Sequence, residues 1–251
     1  MKKTILVILS VFALTLTASA QSMKVYQNGQ LKAIYYVSKD DKIEFSDDFP
    51  FPEESDKEEP TSKIPVGKAV DLGLSVKWAD MNIGAEKTED YGWYLAWGES
   101  KPKDVYNWST YFDTNDGGNT FSKYTTSTKT TLDPEDDAAH VNWGGDWRMP
   151  TTAKLYELRN RNNCTWVWTT QNGVKGYKVT SKVNGNSIFL PAAGSRWDGE
   201  LGNAGSDGGY WSSSHYGFSS NNAYSLGFDS GYVGSYVSIR DLGKSVRPVC
   251  P

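Results

Sequence analysis

The chain has 251 residues, a formal net charge of −4 and 38% hydrophobic residues. The acidic balance argues against a nucleic-acid partner, which needs a basic stripe, and beyond the first twenty residues no stretch is long and apolar enough to span a bilayer. Ten Trp, fifteen Tyr and 24 Gly, with little helical periodicity, predict a β-rich, loop-rich domain with an aromatic core plus a small appendage.

Residues 1–20 read as an export signal. Met1-Lys2-Lys3 is a positive start, Thr4 to Thr17 is apolar but short of the roughly 20 residues of a membrane helix, and Ala18-Ser19-Ala20 is a small-residue cleavage site. No cysteine stands at that point to carry a lipid. The expected address is the periplasm, the cell surface or the medium. Residues 21–45 form a small β segment: Met23 to Tyr26 and Leu31 to Val37 flank Asn28-Gly29, a hairpin signal, and Ile43-Glu44-Phe45 suits a short third strand. Residues 46–66 read as a linker, with seven acids and Pro50, Pro52 and Pro60; self-repulsion and proline stiffness favour an extended spacer.

Residues 67–251 form the main domain. Val70 to Trp78 and Tyr91 to Trp97 read as strands, and residues 100–130 as a long excursion rich in Thr, Ser, Asn and Gly, of the kind that tends to be functional or mobile. Two helices are expected. In Leu132 to His140, Asp133 suits the N-cap, Pro134 the first helical position, and Glu135 and Asp136 the positive dipole end. In Pro150 to Arg159, Thr151 or Thr152 caps, with Leu155 and Leu158 on one face. A meander follows: Thr165–Thr169, Gly176–Thr180 and Ser187–Leu190, turned at Asn172-Gly173 and Asn184-Gly185, pairs suited to type I′ turns because both residues there need positive φ. Gly209–Ser213, Ala223–Phe228 and Ser245–Val249 close the chain.

Five segments in this order, Trp143-Gly-Gly-Asp-Trp-Arg-Met-Pro-Thr151, Phe189-Leu-Pro-Ala-Ala-Gly194, Gly209-Tyr-Trp-Ser-Ser213, Asn222-Ala-Tyr-Ser-Leu-Gly-Phe228 and Ser245-Val-Arg-Pro-Val249, resemble the Fibrobacter major paralogous domain family over about residues 69–251. The resemblance implies an α+β, C-type-lectin-like domain with two helices and twisted antiparallel sheets, its two ends brought together; here a small β-hairpin segment precedes it. It implies more about fold than about function. The calcium signatures of animal C-type lectins, Glu-Pro-Asn or Gln-Pro-Asp with a later Trp-Asn-Asp, are absent. The acids Asp133, Glu135, Asp136 and Asp137 are explained more cheaply by a helix start than by a calcium site. The reactive cysteine pair of formylglycine-generating enzymes, which share the fold, is not matched either.

No catalytic residue, metal or cofactor is expected. His140 and His215 are the only neutral-pH bases, and no nucleophile–base–orienter set can be assembled around them. Trp78, Trp93, Trp143, Trp147, Trp166 and Trp168 are expected mainly in the core, while Trp97, Trp108, Trp197 and Trp211 lie nearer loops, where one or two suit a stacking platform. Trp147 and Trp211 are counted as framework, and Arg148 and Arg247 as anchors whose forks satisfy carbonyls where segments cross. Cys164 and Cys250 are either joined in a disulfide, plausible in an oxidising compartment, or separate buried thiols.

From Ser214 to Gly243 the chain contains no Lys, Glu, Gln, Trp or Met. These five types lack a codon ending in a pyrimidine, so an Asn codon randomised at its adenines reaches every residue present and none of the five. That pattern resembles the footprint of a diversity-generating retroelement acting on a C-type-lectin-like target. The positions expected to vary are Ser214, His215, Tyr216, Phe218, Ser219, Ser220, Asn221, Ser225, Asp229, Ser230, Tyr232, Ser235, Tyr236, Ser238, Ile239, Arg240, Asp241 and Leu242. The plainer account is that these loops simply favour Ser, Gly, Tyr and Asn. Under either account the composition is that of a binding surface: Tyr gives rigid amphipathic area, and Ser, Gly and Asn give adaptable hydrogen bonds. Ligand contacts are therefore expected from His215, Tyr216, Phe218, Asn221, Ser225, Tyr232, Tyr236, Ser238, Arg240 and Asp241, with Trp197. Strand alternation sets Leu226 and Phe228 inward and Ser225 and Gly227 outward. The expected partner is a glycan or a protein; a structural or adhesive module, and more remotely a carbohydrate-active enzyme, are the rivals.

Overall fold

The computed structural model divides the chain into two units, Met1–Thr61 and Ser62–Pro251. Side chains are described for residues 64–125 and 129–251, and before residue 64 only the backbone of five strands. These are β1 (Thr4–Ile8), β2 (Phe12–Thr15), β3 (Ser22–Gln27), β4 (Gln30–Tyr36) and β5 (Lys42–Ser46). The expected hairpin is the antiparallel pair β3–β4; its Asn28-Gly29 turn lies outside the described residues. The short strand at Ile43–Phe45 is present as β5, but it pairs in parallel with β1 rather than extending the hairpin. Of the linker expected over 46–66, Ser46 ends β5 and residues 47–63 lie outside the described residues.

The second unit runs β6 (Ala69–Val70), β7 (Lys77–Ala79), a 3-10 turn (Pro134–Asp136), α1 (Ala138–Trp143), α2 (Thr152–Arg159), β8 (Cys164–Gln171), β9 (Val174–Ser181), β10 (Ser187–Pro191), β11 (Ser195–Trp197), β12 (Glu200–Gly202), β13 (Gly208–His215), β14 (Asn222–Phe228), β15 (Val233–Ile239) and β16 (Val249–Cys250). It is an α+β unit of antiparallel sheets: β8-β9-β10, β13-β14-β15, β6-β7-β16 and the hairpin β11–β12. The meander matches its sequence reading. Asn172 and Gly173 take φ of 48° and 86°, the two positive values a type I′ turn demands. The second Asn-Gly pair differs. Gly185 alone is left-handed, and the Asn184 and Asn186 amides instead reach the Asp71 carbonyl at 2.9 and 2.8 Å.

Three element readings are corrected. The strand expected over Val70–Trp78 is broken into β6 and β7, with Gly73 between them at φ 66°. Tyr91–Trp97 forms no ladder; Trp93, Leu95 and Trp97 donate their amides one by one to Ile83, Lys244 and Arg240. The first helix starts later than its Asp-Pro signal suggests. Asp133 precedes only the 3-10 turn, and Asp137 caps α1 by accepting from Ala139 and His140, so His140 stands inside that helix.

Packing follows from strand alternation. One face of β13–β14 presents Tyr210, Leu226 and Phe228 to a core shared with α2, β8, β9 and β10. The opposite face presents Trp211 and Ala223 to a second core built from Ile83, Leu95, Trp97, Met149 and Val246. Trp97 and Trp211, expected nearer loops, are therefore wholly buried; their indole N–H groups donate to Ser212 O and Leu95 O, each at 2.8 Å. Beneath the long excursion lies a third, largely aromatic cluster of Tyr94, Tyr106 and Tyr111 with Trp108 and Phe121. Trp147 is half-buried, edge-on to Trp143.

The ends of the unit meet where Val249 of β16 pairs with Trp78 of β7. Beside that junction the buried Arg247 fork donates to Asn82 Oδ1 (2.8 Å), Ala79 O (3.0 Å) and Phe189 O (2.8 Å), tying the C-terminal segment to residues 79–82 and to β10, an anchor as expected of it. Arg148 anchors more locally, through Gly145 O and Trp147 O. Cys164 and Cys250 are free thiols. They open and close different sheets, opposite Ser181 and Lys77 respectively, so the disulfide alternative falls away. Arg247→Lys, which replaces a three-way fork with one compact ammonium, should strand buried acceptors and cost about 2–4 kcal/mol in urea unfolding; unchanged stability would show that the fork does not hold the junction.

Candidate functional site

A cleft of about 290 Å³ opens on the second face of β13–β14, between the β11–β12 hairpin with its following loop and the β14–β15 pair. Gly209 and Gly227, which carry no side chains, line its base. A side chain at Gly227 would meet the Tyr236 ring at 2.7 Å, so glycine lets that tyrosine lie across the sheet as one wall. Ser195, Asn203 and Asp207 line the opposite side, and Asp229 sits at the β14–β15 end.

At the floor stands Lys244, only 9% exposed. Its stem runs over Gly209, and its ammonium lies 5.2 Å from the Trp211 ring centre. Its polar contact is a long one, 3.5 Å to Ser225 Oγ, which in turn is 3.1 Å from Ser238 Oγ. Among the described residues no carboxylate pairs with it. Burial alone pushes its pKa down to about 8, because a desolvated ammonium without a counter-ion is disfavoured. The Tyr236 hydroxyl is pushed up by burial, then by the nearby Tyr232, Asp229 and Asp207, which sets those two acids near the tyrosine wall.

The sequence-selected residues separate into three groups. Tyr236, Ser238 and Ser225 meet at this cleft, with Tyr232 edge-on to Tyr236. Alternation along β11 puts the exposed Trp197 on the same side as Ser195. Tyr216, Phe218 and Asn221 lie at the other end of the sheet, in the β13–β14 turn; there Tyr216 packs edge-on to Tyr224, and Phe218 is 90% exposed. His215, Arg240 and Asp241 are buried, which corrects their reading as surface contacts. Arg240 reaches Asp113 at 3.4 Å and lies over the Phe121, Trp97 and Tyr111 rings. His215 packs beside Trp97, and burial followed by the Arg240 charge holds its pKa low.

Ser225 is corrected too: on the face to which it points it meets the Lys244 ammonium and the Ser238 hydroxyl of the neighbouring strand, so it is buried although its neighbours Leu226 and Phe228 face the other way. The decisive residue missed by sequence reasoning is Lys244. A lysine beside a loop reads as solvated, and only the tertiary pairing of Leu95 with Lys244 draws it inward. The acids weighed for calcium have other duties: Asp136 holds Lys123 and the Tyr124 hydroxyl, and Asp137 holds α1 and Met149 N. Among the described residues no helix is long and apolar enough to cross a membrane. The chain matches no protein-family model, no curated protein and no solved structure.

Burial raises the Asp241 pKa to about 6, and one of its oxygens has no hydrogen-bond partner. With the folded pKa above the unfolded value, the associated stability is full below about pH 4 and is lost as pH rises through about 6. Asp241→Asn should therefore raise the melting temperature at pH 8 by a few degrees and leave it nearly unchanged at pH 4. Equal shifts at both pH values would show that Asp241 is not buried as a costly charge.

Proposed function

We propose that the chain is an exported ligand-binding protein with a C-type-lectin-like domain, and that it takes a glycan or protein partner at the Lys244 cleft and the aromatic side chains beside it. The observation that carries this reading is the pairing of a polar cleft with exposed aromatic rings: Tyr236 forms its wall, and Tyr232, 56% exposed, stands edge-on to it, while Trp197, 59% exposed, lies two residues along β11 from the lining Ser195. Rings of this kind give a sugar or peptide a rigid surface at low entropic cost, and the surrounding Ser, Asn and Asp supply directional hydrogen bonds. The antiparallel organisation, the two helices and the meeting of the unit's ends support the lectin-like reading. The export signal read in residues 1–20 supports its address.

Retroelement diversification, if it acts here, has a narrower target than the whole window. Substitution at Phe218, Asp229, Ser230, Tyr232, Tyr236 or Ile239 changes exposed side chains, whereas Arg240 and Asp241 are packed inside. Among isolates of the source species, codon variation should concentrate at the first set and spare the second. An invariant window would remove diversification from the account.

Binding is tested with the mature chain on glycan and peptide arrays, followed by Tyr236→Ala and Tyr232→Ala. Each should weaken the ligand found by about tenfold, the loss expected of an aromatic contact worth about 1–2 kcal/mol, with unchanged circular dichroism and melting. Full binding by both variants would contradict the assignment of the face.

A further inference from the structure

Three cations are buried within eight residues of the C-terminal segment, and two of them are provided for. Arg240 has Asp113 and a cage of rings, and Arg247 has three oxygen acceptors. Lys244 has the Trp211 ring and a single distant serine hydroxyl, no carboxylate among the described residues, and opens into a cleft. Resting on the reading of this cleft as a ligand site, we infer that Lys244 is the anchor for a ligand carboxylate, and that the site selects small carboxylate-bearing molecules over their neutral analogues.

The surroundings fit that group. The lysine backbone is pinned by two reciprocal bonds to Leu95, each 3.0 Å, and the stem is laid over Gly209, so the ammonium is held in place before a ligand arrives. Ser225 and Ser238 offer hydroxyls that can turn to donate to a second carboxylate oxygen, as an ion-paired carboxylate in a half-dry site requires. A cavity of about 290 Å³ admits one sugar-acid or amino-acid residue and little more. Asp207 and Asp229 also line the cleft, where their free oxygens can accept from hydroxyl or ammonium groups and repel a second anionic group. A dianionic phosphate ester is therefore disfavoured, and a single carboxylate with donors at its other end is preferred. The lowered pKa of Lys244 agrees with an ammonium that lacks its counter-ion.

The test uses the full chain carrying ¹³Cε-labelled lysine, with the Lys244 resonance assigned by its loss in Lys244→Met, and sodium acetate as the minimal probe. Acetate should raise the Lys244 titration midpoint by about one pH unit, since an added counter-ion favours the charged form; acetamide and sodium chloride at matched concentration should not. Acetate binding should also weaken by roughly tenfold or more between pH 7 and pH 9.5, as the ammonium is lost. Lys244→Met should fold, because it removes an uncompensated buried charge, and should lose the acetate-induced shifts of the Ser225 and Tyr236 amides; the wild-type midpoint decides the matter if that variant does not fold. Glucuronate binding more tightly than acetate would point to an acidic sugar as the source, and N-acetylalanine to a peptide end. A midpoint unmoved by acetate, or moved equally by acetamide, overturns the proposal. If that happens while binding still depends on Tyr236, the carboxylate assignment alone fails; loss of Tyr236 dependence is what would undo the binding reading itself.

Discussion

Tyr210 and Trp211 stand side by side in β13, point to opposite faces of the sheet, and are both buried. That double burial is the constraint on which the rest depends. It makes β13–β14 a central layer with a core on each side, so a residue in this pair has no free face where either core reaches it. The cleft exists where the second core stops short: past Trp211 the covering residues give way to Gly209, Gly227 and the side chains of Lys244 and Tyr236. The site is thus the unfilled margin of a packed layer, and its floor is as rigid as the sheet beneath it.

The electrostatics of the last strands follow the same geometry. Burying a charge is costly unless hydrogen bonds or an opposite charge replace the lost water. Arg240 meets that need with Asp113, whose own carboxylate also accepts from Ser122 and Lys123 and so fastens the long excursion to the C-terminal segment. Arg247 meets it with three oxygens from two segments, residues 79–82 and Phe189, and closes the ends of the unit. Lys244 is left with one serine, the face of the Trp211 ring and an open cavity. A cation that the fold itself does not neutralise, at the bottom of a cleft, leaves that task to whatever enters.

Much of the framework was legible from local signals. The Asn172-Gly173 turn, the meander it organises, the second helix with Leu155 and Leu158 inward, and the Arg247 anchor each rest on chemistry contained in a few adjacent residues. What escaped was long-range. The alternation of Ser225 and Leu226 showed that they face opposite ways, but not that both ways are covered. Arg240 lies in a Ser- and Gly-rich stretch and reads as a contact because the partners that bury it, Asp113, Tyr111 and Phe121, lie more than a hundred residues earlier in an excursion without regular strands. Lys244 was passed over for the same reason. Tyr236, Tyr232 and Trp197 are exposed, as the sequence reading expects, since they stand on strands or turns at the margins of their sheets, where little covers them.

The central claim is that ligand recognition takes place at the Lys244 cleft rather than at the Phe218 end of the sheet. The most direct measurement is a map of backbone amide shifts during titration of the folded chain with its best array ligand. The account predicts that the shifts gather at Gly194–Gly209, at Gly227–Ser238 and at Lys244. Shifts gathered instead at Tyr216–Asn222, with the cleft residues silent, would contradict it.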